Sequence, residues 1–282
     1  MVKIAGVVVL YYPKVEDINN IYSYIEDIDK LYVIDNTPEV DNKRLLPDSN
    51  KIDYIFNGEN VGVAKALNIA ARKAIKEGYN WLLTMDQDSS FKKDSIEKIK
   101  DYIKDHDIND VGIVTPLHRI KVMKNKLRPD IEYPIDVMTS GNFVNLDVYQ
   151  KIGGYKDWLF IDAIDTEYCL NLWSSGYKVV RLNFVEMDHV LGNIIFKKMF
   201  GREFVSTNHN HIRRYYIMRN NHYVRDMYVG YNKEYCEMLV KQKGNIMKIL
   251  LFEKDKFRKI RESIRGYIDY KKNIKGKYHY NS

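Results

Sequence analysis

The stretch WLLTMDQDSSF, residues 81–91, places two acids directly after an apolar run that has the character of a buried strand. Asp86 and Asp88 are residues i and i+2 of an extended segment, so their carboxylates point to the same side. Two converging carboxylates suit Mg²⁺ or Mn²⁺, which proteins hold with one or two acids plus substrate phosphates. The alternative is that Asp88 or Ser89 caps a helix over 92–104. The spacing alone leaves both readings open.

Around this stretch, short apolar runs alternate with helical patterns along the first half of the chain. The predicted strands are 4–10, 31–34, 52–56, 81–85 and 111–115. The predicted helices, whose apolar residues recur at spacings of three and four, cover 18–28, 63–75 and 92–104. This alternation predicts an α/β fold with a mostly parallel sheet covered on both faces.

The second half is less regular. Its predicted elements are a loop or hairpin over 118–134, a strand over 140–146, a helix over 165–176, a strand over 177–182 and helices from 211 onward. A soft boundary falls near 225–245. Glycines 78 and 176 mark the ends of two of the predicted helices.

The composition is that of an ordinary globular protein. The 282 residues are 45% hydrophobic and 29% charged, and they include two cysteines, which fits a reducing compartment better than a disulfide framework. The apolar run at the N-terminus is short and ends at Pro13, so we expect no signal peptide. No apolar stretch reaches about 18 residues, so we expect no transmembrane helix and a cytoplasmic location.

The net charge of +7 is concentrated at the C-terminal end. Residues 241–282 hold 13 Lys and Arg against 4 Asp and Glu, a local net charge of +9 that leaves about −2 for the rest. This basic segment indicates an anionic partner, membrane headgroups or nucleic acid, unless it is a solvated helical face. Its apolar residues would form one face of an interfacial helix, or else pack on the protein or on a second copy: Ile246, Ile249, Leu250, Phe257, Ile260 and Ile264.

Other polar residues also follow predicted strands, at the edge where open α/β sheets bind ligands. Asp35 follows the second strand and would suit a nucleobase or ribose, but Asn36-Thr37-Pro38 is a good turn sequence, and taken alone it favours an Asx turn. The segment 57–70 combines glycines with a helix start, which is a weak phosphate signal.

Further candidates lie in the second half. Asp162, Asp165 and Glu167 fall at a predicted helix start, where an acid serves as a general base, as a helix cap, or as both. His189 is a candidate third metal ligand or a structural histidine. Three arginines interleaved with tyrosines either bind diphosphate or form an exposed basic helix face: Arg213, Arg214 and Arg219.

Eight segments in order resemble family 2 glycosyltransferases, particularly the rhamnosyltransferase-like branch. They span about residues 4–225 and read VVVLYYP, VIDNTP, NGENVGVAKALNIA, WLLTMDQDSSF, SGNFVNLDVYQKIGGY, LFIDAIDTEYCLNL, MDHVLGN and RRYYIMRNN. The resemblance implies a GT-A fold, that is, a mostly parallel Rossmann-like central sheet flanked by helices, here with a helical basic C-terminal segment. The implied domains are a catalytic domain over 1–230, with a nucleotide-sugar half to about 115 and an acceptor half from about 116, and an extension over 231–282.

The resemblance also implies roles for individual residues. Tyr11 and Asp35 would line the nucleoside pocket, and Asn60 and Asn68 would border the donor. Asp88 and His189 would hold Mg²⁺ or Mn²⁺, and Asp86 would support the donor sugar or ribose beside the metal. Arg213, Arg214 or Arg219 would support the leaving diphosphate. Asp165 would be the base; Ile164 replaces the Glu of the family's usual Glu-Asp pair, which leaves Asp162 as a rival base.

The implied function is an inverting, metal-dependent transfer from a nucleotide-diphosphate sugar to a glycan or lipid-linked glycan. The subfamily favours L-rhamnose from dTDP-rhamnose, with a UDP-hexose or UDP-galactofuranose donor as the alternative. A nucleotidyltransferase is less favoured, because Tyr11-Tyr12-Pro13 replaces the Gly-rich segment expected after the first strand. We expect no nucleic-acid partner, since the body of the chain is not basic, and we expect peripheral contact with the cell membrane through the basic C-terminus.

Overall fold

The computed structural model describes residues 2–119, 128–189, 195–199, 202–241 and 243–279, without the side chains of His189, 195–199, 202–206 and 243–245. The chain forms two compact units. The first comprises Met1–Asp157 and Asp165–Val190, and the second comprises Trp158–Ile164 and Leu191–Ser282. The chain therefore enters the second unit for seven residues, returns to the first, and leaves it again near residue 190.

Strands and helices alternate through most of the first unit. The strands are β1 (Ile4–Leu10), β2 (Lys30–Asp35), β3 (Ile52–Phe56), β4 (Trp81–Asp86), β5 (Ser89–Phe91), β6 (Val111–Arg119), β7 (Ile131–Glu132), β8 (Asn142–Asn145), β9 (Lys178–His189), β10 (Ile195–Met199) and β11 (Arg202–Ser206). The helices are α1 (Val15–Asn19), α2 (Val63–Lys76), α3 (Ser95–Asp105), α4 (Leu146–Ile152), α5 (Ile164–Ser174), α6 (His211–Tyr228), α7 (Lys233–Leu239), α8 (Lys243–Phe252) and α9 (Lys256–Lys271).

The central sheet has the order β3-β2-β1-β4-β8-β6-β9-β5, and β7 also pairs with β9. Its first four strands are parallel, as the sequence predicts. The other half is mixed, because β8 runs antiparallel to both β4 and β6. In the second unit, β10 and β11 pair with each other in antiparallel register and form a separate sheet.

Burial explains why the strands were readable in the sequence. All of β1 except Val9 is fully buried, and β4 is buried up to Met85, so both appear as continuous apolar runs. Helix α2 packs its alanine-rich face on this sheet, and Gly78 follows the end of the helix with a positive φ of 78°. Most predicted strand bounds in the first half agree with the structure to within one residue; β6 runs four residues past the predicted end, to Arg119, and β9 runs seven residues further than predicted, to His189.

The predicted helix over 18–28 is wrong. The segment forms the short helix α1, then a 3₁₀ turn over Asn20–Ser23, and then irregular backbone. The periodic isoleucines are nevertheless buried, so the pattern correctly indicates which residues face the core but not that they form a helix. Lys51 holds the irregular part, since its Nζ donates to the carbonyl oxygens of Ile25 (3.1 Å) and Glu26 (2.9 Å).

The alternative role of Asp88 or Ser89, capping a helix over 92–104, is excluded by the structure. Ser89 starts the strand β5, and α3 begins only at Ser95, after Asp94 in a left-handed conformation without a side-chain cap. The cause is pairing: β5 joins β9 in antiparallel register, which removes the segment from the following helix. The carboxylate of Asp88 therefore does not begin a helix.

The predicted loop over 118–134 is partly structured. β6 continues through its first two residues, residues 120–127 lie outside the described part, and β7 pairs with β9. The Glu132 carboxylate accepts hydrogen bonds from Arg181 and Arg128, which holds its pKa below the usual range. This excursion is thus attached to the sheet.

The second unit is built around α6, which packs along α9. Arg214 of α6 donates to Glu253 Oε1 (2.5 Å), and Lys259 of α9 donates to Glu253 Oε2 (2.9 Å); all three side chains are buried. The C-terminal helices are therefore integrated with α6 through a buried ion triad. The predicted division at residue 230 stays a prediction. No helix of the described residues is long and apolar enough to cross a membrane.

Candidate active site at the carboxyl edge of the sheet

Three strand ends meet at one edge of the first unit. Leu10 of β1 lies beside Asp35 of β2, and Val9 lies beside Asp86 of β4. Parallel strands end on the same side, so the residues that follow them form a common surface. Tyr11 follows β1 there with about half of its side chain exposed, which leaves a ring face for a flat ligand.

Gln87, the middle residue of the D-Q-D segment, ties this edge together. Its Oε1 accepts the Tyr11 N–H (2.8 Å), and its Nε2 donates to Asp17 Oδ2 (3.1 Å). Its carbonyl oxygen accepts from Asn20 Nδ2 (2.8 Å). Gln87 is not among the site residues predicted from the sequence. The available signal was an amide between two acids at a strand end.

Asp35 is fully buried and organises its own loop. Its Oδ1 accepts the Thr37 N–H (2.8 Å), which forms the Asx turn that the sequence offered as an alternative. Its Oδ2 accepts from Tyr54 OH (2.8 Å) and Asn42 Nδ2 (2.9 Å). Burial and the Asp35 hydrogen bond raise the pKa of Tyr54. The Asp35 carboxylate thus shapes the loop beside Tyr11 with both oxygens engaged.

The N-terminus of α2 reaches the same edge through a chain of asparagines. Asn60 Oδ1 accepts the Gly62 N–H (2.9 Å), and Asn36 Nδ2 donates to the Gly62 carbonyl (3.2 Å). Asn57 Nδ2 in turn donates to Asn36 Oδ1 (2.8 Å). Gly62 has a φ of 88°, a conformation that glycine adopts without strain. The positive end of the α2 dipole therefore lies at a fixed place behind the strand ends.

Asn68 is placed differently from the expectation that it borders a donor. It is buried, and its Nδ2 donates to the Tyr155 carbonyl (2.8 Å) and to Asp157 Oδ1 (2.5 Å). Its Oδ1 accepts from Tyr149 OH and from the Tyr155 N–H. All four hydrogen-bonding positions of the amide are thus used inside the unit. Asn68 therefore has a structural role, because its hydrogen bonds hold the segment 149–157 against α2.

Asp86 is held in place by the loop before β8. Its N–H donates to Ser140 Oγ (3.0 Å), and the Ser140 carbonyl accepts from His118 Nε2 (2.6 Å). Gly141 has a φ of 82°, and a Cβ there would approach Met187 Sδ to 2.6 Å. Ser140 and Gly141 belong to the SGN segment, whose sequence pattern predicts only the start of a strand.

Asp88 provides the most specific metal signal at this edge. Its Oδ1 is buried and, among the residues that the structure describes, has no hydrogen-bond partner. A buried carboxylate oxygen without a partner is costly unless a cation or a ligand satisfies it. The backbone of the next residue, Ser89, pairs with that of His189, so the predicted third ligand lies opposite the sequence neighbour of Asp88. The His189 side chain lies outside the described part.

The donor set fits a hard cation that also binds substrate. Within the described part, no three His, Cys, Asp or Glu side chains come together as a complete metal site. Asp86 ends β4, and Asp88 follows it with one buried carboxylate oxygen that has no described partner. Two such acids are enough to bind Mg²⁺ or Mn²⁺ when phosphate oxygens and water supply the other ligands of the ion.

Asp165 lies in the first turn of α5 in the first unit. Its side chain is half-buried, and its Oδ1 accepts the Thr166 N–H (2.9 Å). Thr166 Oγ1 donates to Asp136 Oδ2 (3.2 Å), which fixes the start of the helix. The positive end of the helix dipole favours the ionised form of an acid at this place.

Asp162 belongs to the second unit and has a different environment. It lies in a loop with positive φ at Phe160, Asp162 and Ala163, and Asn220 Nδ2 donates to the Asp162 carbonyl (3.0 Å). Its carboxylate accepts from Arg213 Nε at 3.2 Å to each oxygen, and also from Arg213 Nη2. The rival base is therefore an ion-paired acid.

The two remaining arginines are buried structural groups of the second unit. Arg214 belongs to the ion triad with Glu253 and Lys259. Arg219 is fully buried, and its Nη1 and Nη2 donate to the carbonyls of Gly276 (2.7 Å) and Trp158 (3.3 Å). Its guanidinium also lies over the rings of two tyrosines of α6. We therefore do not carry Arg214 or Arg219 into the proposal for donor binding.

Comparison with known proteins decides the family. The sequence profile of Glycosyl transferase family 2 matches residues 17–158, which include β2 to β4 and the D-Q-D segment. The chain belongs to glycosyl transferase family 2. The recognised similarity and the expected enzyme class, a glycosyltransferase, are thereby confirmed.

A named relative of this family 2 chain is the dTDP-rhamnosyl transferase RfbF of Shigella flexneri. The two are 29% identical over 231 residues, which cover 76% of each chain. This places the chain among the rhamnosyltransferase-like members of the family, as the resemblance of the eight segments predicted.

Solved structures confirm the GT-A fold of this family 2 chain. S. aureus TarS (residues 1–349) in complex with UDP-GlcNAc matches with a TM-score of 0.60 and 9% identity, over 95% of this chain and 81% of that one. GalNAc-T7 with UDP, GalNAc and Mn²⁺ matches with a TM-score of 0.54 and 13% identity, over 71% of this chain but only 44% of that one. At these identities the matches support the fold alone.

Proposed function

We propose that this glycosyltransferase is metal-dependent and inverting, and that it moves L-rhamnose from dTDP-rhamnose onto a hydroxyl of a glycan or lipid-linked glycan. The observation that carries the metal-dependent site is the buried, partnerless Oδ1 of Asp88 at the carboxyl edge of the sheet. The named rhamnosyl relative supports the choice of sugar and nucleotide. A UDP-hexose or UDP-galactofuranose donor is the alternative.

In this proposal the nucleoside lies at the ends of β1 and β2. The exposed ring of Tyr11 covers one face of the base, and the loop that Asp35 organises forms the wall of the pocket. Asn60 and Asn36 hold the start of α2, whose dipole favours an anionic phosphate. Asp35, Asn36 and Asn60 thus shape the proposed pocket mainly by hydrogen bonds that hold the backbone around it in place.

Asp86 and Asp88, with His189 as the proposed third ligand, would hold the divalent cation at the donor diphosphate. When bound, Mg²⁺ or Mn²⁺ offsets the negative charge that develops on the leaving group. Asp86 is positioned for this by Ser140, and its neighbour Gln87 fixes Tyr11, so the metal and nucleoside sites share one support.

Asp165 is the proposed base. It takes the proton of the acceptor hydroxyl while the acceptor oxygen forms a bond to the anomeric carbon from the face opposite the diphosphate. The bond from that carbon to the diphosphate oxygen breaks at the same time, and the electron pair leaves with the nucleotide. A positioned base contributes on the order of 10²–10⁴-fold. Asp162 is less suited, because Arg213 already binds its carboxylate.

Donor hydrolysis and transfer across a nucleotide-sugar panel test the proposed function. We expect turnover of dTDP-rhamnose with Mg²⁺ or Mn²⁺, loss of turnover in EDTA, and a product whose anomeric configuration is opposite to that of the donor. Faster turnover of a UDP-hexose or UDP-galactofuranose supports the alternative donor. Full activity in EDTA contradicts metal dependence, and a retained configuration contradicts inversion.

Asp165→Asn and Asp162→Asn distinguish the two candidate bases. Asn keeps the size of the side chain and tolerates the left-handed backbone of residue 162. We expect Asp165→Asn to lower kcat of transfer by roughly 10²-fold or more with a similar KM for the donor. We expect Asp162→Asn to lower the melting temperature, because Arg213 loses its charged partner. A normal melting curve with loss of kcat in Asp162→Asn alone would assign the base to Asp162.

A further inference from the structure

Helix α9 of the second unit buries its polar side and exposes its apolar side. Its buried residues are Lys259, Glu262, Ser263 and Gly266. Phe257, Ile264 and Ile268 recur at spacings of seven and four, so they form one stripe, and all three are exposed, Phe257 by 87%. An ordinary surface helix has the reverse arrangement. On the buried polar face, Lys259 belongs to the ion triad, Glu262 accepts from Arg261 and Tyr278, and Ser263 donates to the Lys259 carbonyl, whereas the apolar stripe faces water.

Helix α8 adds to the same kind of surface. Met247 and Leu251 are exposed by 61% and 51%, and Ile246 and Leu250 lie one position before each of them and are also exposed. Ile249, on the opposite side, is buried. We call the exposed apolar residues of both helices the α8–α9 surface: Ile246, Met247, Leu250, Leu251, Phe257, Ile264, Tyr267 and Ile268. Contiguous exposed apolar residues in this number mark a surface that binds something.

A groove joins the two helices within this surface. It has a volume of about 270 Å³, and its lining includes Ile246 of α8, Ile260, Ile264 and Tyr267 of α9, and Met218 of α6. Among the described residues, the lining is mostly apolar and contains no acid. A groove of this chemistry accepts a hydrocarbon chain more readily than a polar ligand.

The charges around the α8–α9 surface are almost all positive. Lys254, Arg258, Arg261, Lys271 and Lys272 are exposed beside the apolar residues, whereas Asp255 is the one fully exposed acid within the described residues 246–272. In a symmetric dimer formed through this surface, the basic residues of one copy would face the basic residues of the other. The repulsion between these like charges would destabilise such a dimer. Apolar residues flanked by Lys and Arg instead match an anionic lipid bilayer.

We propose that the α8–α9 surface docks the protein on an anionic membrane, with Phe257, Met247 and Ile264 inserted among the lipid chains and the flanking cations at the headgroups. This names the surface that would bring the enzyme to a lipid-linked acceptor. The docking itself is independent of the transfer reaction, because it uses none of the residues assigned to donor or metal.

Flotation of the full-length protein with vesicles tests this docking. The vesicles are pure phosphatidylcholine, or phosphatidylcholine with about one third phosphatidylglycerol, at low and high salt and without donor. We expect binding to the anionic vesicles only, weakened by salt because the lysines and arginines contribute. No binding to anionic vesicles at low salt, or equal binding to neutral ones, would overturn the proposal.

Two variants separate the apolar and the charged contributions. Met247→Ser/Phe257→Ser/Ile264→Ser removes three inserted side chains, and we expect at least a ten-fold loss of vesicle partition. Lys254→Gln/Arg258→Gln/Lys272→Gln should weaken partition by about five-fold for each charge removed. All six side chains are at the surface, so melting temperature and donor hydrolysis in solution should stay unchanged. Unchanged flotation of both variants would reject the surface.

A matched control uses exposed apolar residues of the first unit. Val15→Ser/Tyr22→Ser/Phe184→Ser removes three large side chains of comparable exposure, and we expect it to bind vesicles like the unaltered protein. Light scattering adds the remaining outcome. If the unaltered protein is a dimer that the α8–α9 triple serine variant dissociates, and vesicles do not bind, the occupant of the surface is a second copy and the membrane proposal fails.

Discussion

At the scale of a single residue, the surroundings of one oxygen atom of Asp88 distinguish between the two roles that the sequence left open for this acid. The sequence left open whether this acid binds a cation or caps a helix, and the strand β5 removes the helix. The carboxylate then has a buried oxygen that nothing in the described part of the protein satisfies. Isolated burial of this kind is unfavourable for the folded state, so it persists where a ligand uses it.

Asp88→Asn should therefore remove metal binding more than folding. We expect transfer activity to fall by roughly 10²-fold or more, since the amide supplies no charge to the cation. The affinity for Mn²⁺ in the presence of nucleotide, measured by titration calorimetry, should fall as well, with little change in the melting temperature. Asp101→Asn, the same change on the exposed side of α3, is the control. Mn²⁺ affinity unchanged by Asp88→Asn would contradict the metal site.

His209 makes the stability of the protein depend on pH. Burial, together with the cations Arg213 and Arg214, lowers its pKa from about 6.5 to about 4. Between these values the unfolded chain binds a proton that the folded chain does not, so the free energy of unfolding falls as pH decreases through this window. For one group the slope is at most about 1.4 kcal/mol per pH unit.

His209→Gln should flatten that dependence. Denaturant unfolding at several pH values from 7 to 4 measures it, and we expect a smaller loss of stability in the variant than in the unaltered protein. His211 and His222 also have lowered pKa values, so part of the slope should remain. His106→Gln, at an exposed histidine of the first unit, is the control. An identical slope in His209→Gln would show that this imidazole is solvated.

At the scale of elements, the packing of α9 on α6 depends on a single missing side chain. A Cβ at Gly266 would collide with the carbonyl oxygen of Tyr215 and lie 3.1 Å from its carbonyl carbon and 3.3 Å from the Arg219 nitrogen. All three are backbone atoms of α6, which no rotamer change can move. The two helices can therefore touch at this point only because residue 266 is glycine.

Gly266→Ala should destabilise the second unit even though alanine favours helices by about 1 kcal/mol over glycine. Overpacking against a rigid backbone costs roughly 1–3 kcal/mol, and here it also separates the helices that hold the ion triad. We expect a lower melting temperature by calorimetry. Gly230→Ala is the matched control, because nothing lies within 4 Å of its Cβ. Equal melting temperatures for the two variants would contradict the close approach.

The sequence predicted strands and helices correctly where one or both of their faces are buried. It missed a strand whose pairing partner is distant in the sequence. β1 and β4 were predicted because their burial is continuous along the strand. β5 was missed because its only reason to be a strand is pairing with residues about 100 positions later. The helix over 18–28 was predicted wrongly because the buried isoleucines of an irregular segment can recur with the period of a helix.

The same limit applies to the site. The acids at the end of β4 were predictable, since strand ends of a parallel sheet share an edge. The environments of Arg214 and Arg219 were not, because their partners Glu253 and Gly276 lie 39 and 57 residues further along the chain. The tyrosines between the arginines were the one available signal, as stacked rings favour a buried guanidinium.

At the scale of the whole molecule, the second unit does not coincide with the predicted C-terminal extension. A fragment ending at residue 230 would keep α6 but lose α7, α8 and α9. Arg214 would then lose Glu253, and Tyr215 would lose Asp269, whose Oδ2 accepts from its hydroxyl at 2.7 Å. A buried cation without its partner costs several kcal/mol.

We expect the fragment 1–230 to aggregate or to bind the dye ANS with loss of a cooperative melt. The fragment 1–279 is the control, because it keeps every contact described for α6, including the Tyr278 N–H that donates to Tyr216 OH. A soluble 1–230 fragment with a cooperative melt and donor hydrolysis would instead support the predicted catalytic domain.

The short visit of the chain to the second unit sets an order of events during synthesis. The partners of the segment Trp158–Ile164 lie far along the chain, since the Trp158 carbonyl accepts from Arg219 and from the Gly276 N–H. The segment therefore leaves the ribosome long before these partners do. Three residues of that segment need left-handed backbone, which costs free energy until these bonds exist. At roughly 5–20 residues per second, several seconds or more pass before residue 276 appears. The turn that leads into Asp165, the proposed base, is thus completed only after residue 276 has been made, so we expect no transfer activity from a nascent chain before that point.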